Sequence, residues 1–221
     1  EVRAIDWAGV FEPRPDRQHL SQRRKEEDFE FSTLLEFGVR DGELRAPVAA
    51  VSSRRLESLL RRYTLPVRTV SGFDRLPIPF RAVATDLETG AAIVLDRGGL
   101  SSALRASMSV PGVFSPIELD GRVLGDGGLV NNVPIDVARA MGVDLVIVVN
   151  VGTALAGREP LNSALGMTAQ MINILTEQNV QRSLATMGER DVLVSPRLGA
   201  LSSGDFARRS SASATSAPCV R

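Results

Sequence analysis

The stretch PIDVARAMGVDLVIVVNV, residues 134–151, decides the fold. Pro134 can open a helix where a missing N–H costs nothing. Ile135, Val137, Ala138 and Met141 continue that helix, and Gly142 suits a left-handed cap at its end. Residues 145–151 are then dominated by β-branched side chains, the pattern of a central parallel strand buried on both faces. A long helix is expected over about 162–187, with Leu165, Met171, Ile172, Leu175 and Leu184 inward, and residues 192–194 read as one more strand. Helix, buried strand, helix, strand is the order of an α/β protein.

Working upstream, residues 117–119 and 122–124 flank Asp120-Gly121, the strongest hairpin signal in the chain, because Asp-Gly tolerates the positive φ of a tight turn. Residues 80–85 and 91–95 read as strands around the turn Glu88-Thr89-Gly90. Leu100, Ala103, Leu104 and Met108 have helical spacing over 100–109, and Pro111-Gly112 stops that helix. A shorter helix over 53–62 carries Leu56, Leu59 and Leu60 on one face; Arg54, Arg55, Arg61 and Arg62 fall mainly on the other and read as solvated. Two short strands are expected within 34–44 around Asp41-Gly42. Ile5, Trp7, Val10 and Phe11 suggest a helix end resting on a core, before Pro13 and Pro15 break regular structure. The mixed-charge residues 23–28 read as a solvated loop, and residues 207–221, small and polar, as a disordered tail.

Composition narrows the function. A chain of 221 residues supports one well-cored domain. Lys+Arg and Asp+Glu are 26 each, so no net charge draws the chain toward nucleic acid or anionic lipid. Aromatics at 5% are too few for a base-stacking platform, so no nucleic-acid partner is expected. Cys219 is the only cysteine, which excludes an internal disulfide and a thiolate metal cluster. Asp74, Asp86 and Asp96 are too scattered for a carboxylate cage, and Lys25, the only lysine, lies in no phosphate-cradling glycine loop. Neither metal nor cofactor is expected. His19 is the only histidine, so a serine–histidine–aspartate triad would have to use a residue set among prolines and charges that reads as surface. No signal segment stands at the start, and the longest dense apolar run, 145–149, is far short of a bilayer span.

One aspartate stands out. Asp126 follows the hairpin and is enclosed by Gly125, Gly127 and Gly128, which remove bulk and let another group approach the carboxylate closely. Asn131-Asn132-Val133-Pro134 opens a helix just beyond, bringing amides and backbone N–H groups toward Asp126. By itself the local pattern leaves two readings open: a working aspartate at a cleft edge, or a solvated one on a glycine-rich turn.

Taken together, Leu76-Pro77-Ile78-Pro79-Phe80-Arg81-Ala82-Val83-Ala84-Thr85-Asp86, then Arg105-Ala106-Ser107-Met108-Ser109-Val110-Pro111-Gly112-Val113-Phe114, then Asp126-Gly127-Gly128-Leu129-Val130-Asn131-Asn132-Val133-Pro134 resembles the patatin-like phospholipases, bacterial members above all. The resemblance runs from about residue 5 to 206. It implies an α/β three-layer sandwich with a mostly parallel central sheet, and an acyl hydrolase domain over residues 1–206. It also implies a serine–aspartate dyad acting on lipid or phospholipid esters, with peripheral contact to a membrane. The family's Asp-Gly-Gly/Ala motif falls on Asp126, Gly127 and Gly128, with Asn131 and Asn132 in support. The family's Gly-x-Ser-x-Gly nucleophile turn has no counterpart here. Gly99-Leu100-Ser101-Ser102-Ala103 comes nearest but lacks the last glycine, and Ser107 and Ser109 sit in a helix the family uses structurally. Position 1 is Glu1, not methionine. The resemblance therefore implies that the first strand, oxyanion loop and nucleophile turn lie upstream, and that these 221 residues alone are inactive. A non-catalytic lipid-binding or interaction module of the same fold is the alternative. Asn150 stands where close relatives would place an aspartate. Outer-membrane, secreted and cytoplasmic locations are all compatible with the resemblance.

Overall fold

The computed structural model describes residues 54–152 and 164–196 continuously, with Val10, residues 38–40 and 43–45, residues 155 and 162, and 219–220. The expectations at Ile5, Trp7, Phe11, His19 and residues 23–28 lie outside the described residues, as do residues 207–218 of the expected tail.

The sequence hairpin at 34–44 is β1 (Gly38–Arg40) paired antiparallel with β2 (Glu43–Arg45). Helix α1 (Arg54–Thr64) follows, with Leu56 only 1% exposed among Val10 and Phe114. Strand β3 (Ala82–Asp86) turns into β4 (Ala92–Leu95), and the turn is fixed by chemistry the residues carry. Asp86 Oδ1 accepts the Glu88 N–H at 3.0 Å, and Gly90 takes φ 72°. Helix α2 (Leu100–Ser107) crosses the sheet, and its small residues Ala103 and Ala106 let it sit close on Ala82, Ala84 and Leu124 around Phe73. Then come β5 (Ile117–Leu119) and β6 (Arg122–Asp126), joined through Asp120 at φ 51° and Gly121 at φ 72°, the geometry expected of Asp-Gly. The four strands order as β4-β3-β6-β5, so β3 is flanked on both edges and every residue of it is buried.

A one-turn helix α3 (Gly128–Asn131) and helix α4 (Ile135–Ala140) lead to β7 (Ile147–Val149). Helix α5 (Ala164–Leu184) then crosses to β8 (Val192–Ser195), which pairs parallel with β7. Val133, Ile135, Val146, Val148 and Val180 form the second core between α4, α5 and one face of this sheet.

The α/β class holds, with three departures from expectation. First, among the described residues only β7–β8 is parallel; the remaining pairings are antiparallel. Turns of a few residues make β1–β2, β3–β4 and β5–β6 antiparallel neighbours, whereas β7 and β8 are joined through α5, the helical crossover a parallel pair needs. Second, β7 is not buried on both faces. Val146 and Val148 point into the core, while Ile147 is 63% exposed, Val149 54% and Leu145 46%, because among the described residues α5 covers one face only. Third, α5 turns Met171 and Leu175 outward, while Leu184 packs inward as expected, beside Val180. At the far end of the chain, where disorder was expected, β9 (Cys219–Val220) pairs antiparallel with Val194 and Ser195, whose outer edge offers open backbone partners.

Asp191 locks this half together. Its side chain, 2% exposed, accepts the Val146 N–H at 3.0 Å and the Gly188 N–H at 2.7 Å, and pairs with Arg139 at the end of α4. The Gly188 contact, then Val146 and the Arg139 charge hold its carboxyl below the ordinary 3.8. A depressed acid contributes stability that is complete above its unfolded value and lost as pH falls through the native one. Asp191→Asn should therefore lower the thermal midpoint at pH 7, and the gap from wild type should close as melting is followed into acid.

Candidate active site

Strand β6 ends on Asp126, and three hydrogen bonds grip the backbone there. The Asp126 N–H donates to Ser109 C=O at 3.0 Å, Thr85 Oγ1 on β3 donates to Asp126 C=O at 2.6 Å, and the Gly127 N–H reaches Ser107 C=O at 3.3 Å. The blocks around residues 82–86, 105–114 and 126–134, separated in sequence, thus meet at one backbone turn.

Ser109 is structural: 1% exposed, it accepts from Arg105 Nη1 at 2.5 Å and donates to Arg105 C=O at 2.8 Å. Arg105 is itself buried, with its guanidinium 5.1 Å from the Phe114 ring centroid, Nη2 donating to Ser115 C=O at 2.9 Å, and Nε in an ion pair with Glu57 Oε1 at 3.6 Å. This cluster braces the end of α2 whose carbonyls hold the Asp126 loop.

Gly127 presses against β3. Its backbone is ordinary right-handed helical, φ −65° and ψ −25°, so no unusual angle demands glycine. Space does: a Cβ here would lie 2.1 Å from Val83 O. At Gly128 a Cβ would meet Asn132 Oδ1 at 2.8 Å and Asp126 Oδ1 at 2.9 Å.

The half-buried Asp126 carboxylate accepts the Gly128 N–H at 2.6 Å through Oδ1. Burial raises its pKa above the ordinary 3.8, and the Gly128 contact offsets this only in part. Two clefts open on it. One, about 220 Å³, is walled by Val110, Pro111, Leu129, Val151 and Ile172; the other, about 380 Å³, lies over Leu60, Phe80, Val83, Leu104 and Met108. An apolar wall with one raised carboxylate suits a substrate with a hydrocarbon body and a reacting polar bond.

The supporting asparagines divide. Asn132 lines both clefts. Asn131 lines the larger one only, with Nδ2 donating to Asp136 Oδ1 at 2.9 Å. Asn150 closes a local turn after β7, its Oδ1 accepting the Gly152 N–H at 3.0 Å. Sequence reasoning missed Asn179, 3% exposed on α5, whose carboxamide grips α3. The available signal was a polar residue four places after Leu175, on a helix read for its apolar stripe. Among the described residues no three His, Cys, Asp or Glu side chains gather as a metal cluster, and no helix is long and apolar enough to cross a membrane.

Comparison with known proteins finds relatives that match part of this chain. Uncharacterized NTE family proteins of Mycobacterium bovis and Mycobacterium tuberculosis are each 38% identical over 130 residues, 57% of this chain and 34% of theirs. Patatin-like phospholipase domain-containing protein 7 of Rattus norvegicus is 36% identical over 125 residues, 51% of this chain and 9% of its own length. The chain thus spans about a third of the mycobacterial relatives and less of the rat protein. Residues 9–139, more than half of the chain, match the patatin-like phospholipases as a family, and the chain belongs to that family.

Proposed function

We propose that this chain supplies the aspartate of a lipid acyl hydrolase that works through a serine–aspartate dyad. The observation that carries the reading is Asp126: a half-buried carboxylate with raised pKa, on a glycine-cleared turn, opening on two apolar clefts. A solvated carboxylate near 3.9 is a weak base for a hydroxyl; burial strengthens it. In the first step a serine Oγ attacks the ester carbonyl carbon while Asp126 takes the hydroxyl proton. The tetrahedral adduct collapses to an acyl-enzyme, and the proton passes from Asp126 to the departing alcohol. Water then attacks the acyl carbon, Asp126 takes its proton, and collapse releases the fatty acid as the proton returns to the serine.

Among the described residues no serine hydroxyl hydrogen-bonds Asp126, and the 221 residues contain no Gly-x-Ser-x-Gly. In this reading residues 1–206 belong to the hydrolase unit, the nucleophile and its oxyanion donors come from outside these residues, and the 221 residues alone show no turnover. The substrate is a lipid or phospholipid ester met at a membrane surface.

A second reading, a non-catalytic lipid-binding module of the same fold, is favoured by the apolar face of Leu145, Ile147, Val149 and Val151, each more than 40% exposed. One experiment separates the two. The full-length gene product is treated with a fluorophosphonate and the adduct located by mass spectrometry. A single labelled serine in a Gly-x-Ser-x-Gly turn, with loss of ester hydrolysis in step, is expected. Vesicle binding without any adduct or turnover would leave the module reading standing and remove the hydrolase.

A further inference from the structure

Helix α3 is one turn long, and its next hydrogen bond would run from the Asn132 N–H to Gly128 C=O. A side chain from a helix nearly fifty residues away takes both groups instead. Asn179 Oδ1 accepts the Asn132 N–H at 2.9 Å, and Asn179 Nδ2 donates to Gly128 C=O at 2.9 Å. Nδ2 also reaches Leu129 C=O at 3.3 Å and Leu175 C=O at 3.2 Å on its own helix, so both amide hydrogens are engaged. Asn179 is 3% exposed, and burying an amide this deeply is costly unless its hydrogen bonds are made.

Gly128 is the residue whose N–H meets Asp126 Oδ1 at 2.6 Å. The peptide groups on either side of Gly128 therefore face opposite duties: its N–H holds the carboxylate and its C=O is held by Asn179. Resting on the dyad reading above, we propose that Asn179 is a positioning residue, which fixes the Gly128 peptide so that its N–H keeps the Asp126 carboxylate aimed for proton transfer. An apolar residue of similar size could fill the space between α3 and α5, but it could not bridge a donor and an acceptor at once.

Among the described residues, two other charged groups line the clefts. Glu177 on α5 lines the smaller one, and Arg81, held by Asp74 at 2.7 Å, lines the larger. Asp136 is turned toward Asn131. Asn179→Ala changes none of these charges, so a shift in the pH profile reads the Gly128 contact itself.

The test uses the full-length gene product, with kcat expressed per fluorophosphonate-titrated site so that any unfolded fraction drops out. Asn179→Ala is expected to lower kcat per site by roughly 10- to 100-fold with KM changed less than about twofold. The acid limb of kcat should move to higher pH, because weakening the Gly128 N–H contact leaves burial less opposed at Asp126. Asn179→Asp, which keeps the acceptor for the Asn132 N–H and loses the donor to Gly128 C=O, should lose kcat comparably. A lower melting midpoint with kcat per site and acid limb unchanged would show a purely structural residue and overturn the inference. If Asp126→Asn keeps full turnover, the dyad reading fails and takes this proposal with it. If Asp126→Asn is inactive while Asn179→Ala matches wild type per site, the positioning role alone fails.

Discussion

Asp126→Asn is expected to cut turnover of the full-length enzyme by roughly a thousandfold, within the 10²- to 10⁴-fold range a positioned base contributes. The change is nearly isosteric. An asparagine Oδ1 still accepts the Gly128 N–H that now meets Asp126 at 2.6 Å, so the loop keeps its shape while the proton acceptor is gone. Stability should move the other way. Burial raises the Asp126 pKa above 3.8, so the native state binds this proton more tightly than the unfolded chain. The relative stability that brings is complete below the unfolded value and lost as pH rises through the native one. At pH 7 the charged carboxylate is a burden on the fold, and the neutral amide relieves it. The thermal midpoint of Asp126→Asn at pH 7 should equal or exceed wild type, measured beside kcat on the same preparation. Lost activity with a lower midpoint would instead identify Asp126 as a structural residue.

Among the described glycines, Gly127→Ala should be the most damaging alanine substitution. Its Cβ would lie 2.1 Å from Val83 O and 2.6 Å from Val83 C, and both are backbone atoms of a strand paired on both edges. No rotamer change relieves such a clash, so α3 or β3 must shift. Forced repacking of this kind costs on the order of 3 kcal/mol or more. Because Ala84 is in register with Asp126, displacing the strand also displaces the carboxylate. Gly125→Ala is the matched control. There the nearest atom, Leu87 Cδ2 at 2.9 Å, ends a side chain that is 42% exposed and free to swing aside. Denaturant melting of the two variants should show a large loss for Gly127→Ala and a small one for Gly125→Ala; equal losses would refute the backbone clash.

The comparison of these two glycines shows where local pattern stops being informative. In the sequence they are equivalent, each flanking the aspartate, and both read as residues that clear space or permit unusual angles. Gly127 turns out to need no unusual angle. Its requirement comes from β3, more than forty residues earlier, and a window around Asp126 contains no trace of it. Asn179 is a similar case: its partners lie on α3, and the spacing of apolar residues along α5 says nothing about a carboxamide bridging two backbone groups elsewhere.

What the amino-acid order determined unaided was local and periodic. The Asp120-Gly121 hairpin, the Asp86 turn, the Gly142 cap, the succession of helices and strands, and the glycine-enclosed Asp126 all follow from φ preferences and hydrophobic spacing that act within a few residues. The family resemblance was also legible, because its blocks are contiguous. Tertiary structure alone decided which side of each apolar element is covered. Residues 145–151 look like a doubly buried strand, yet Ile147 and Val149 are more than half exposed, and Met171 and Leu175 face outward. Apolar spacing records which side chains prefer to leave water; only the assembled chain decides which neighbouring surfaces are there to cover them.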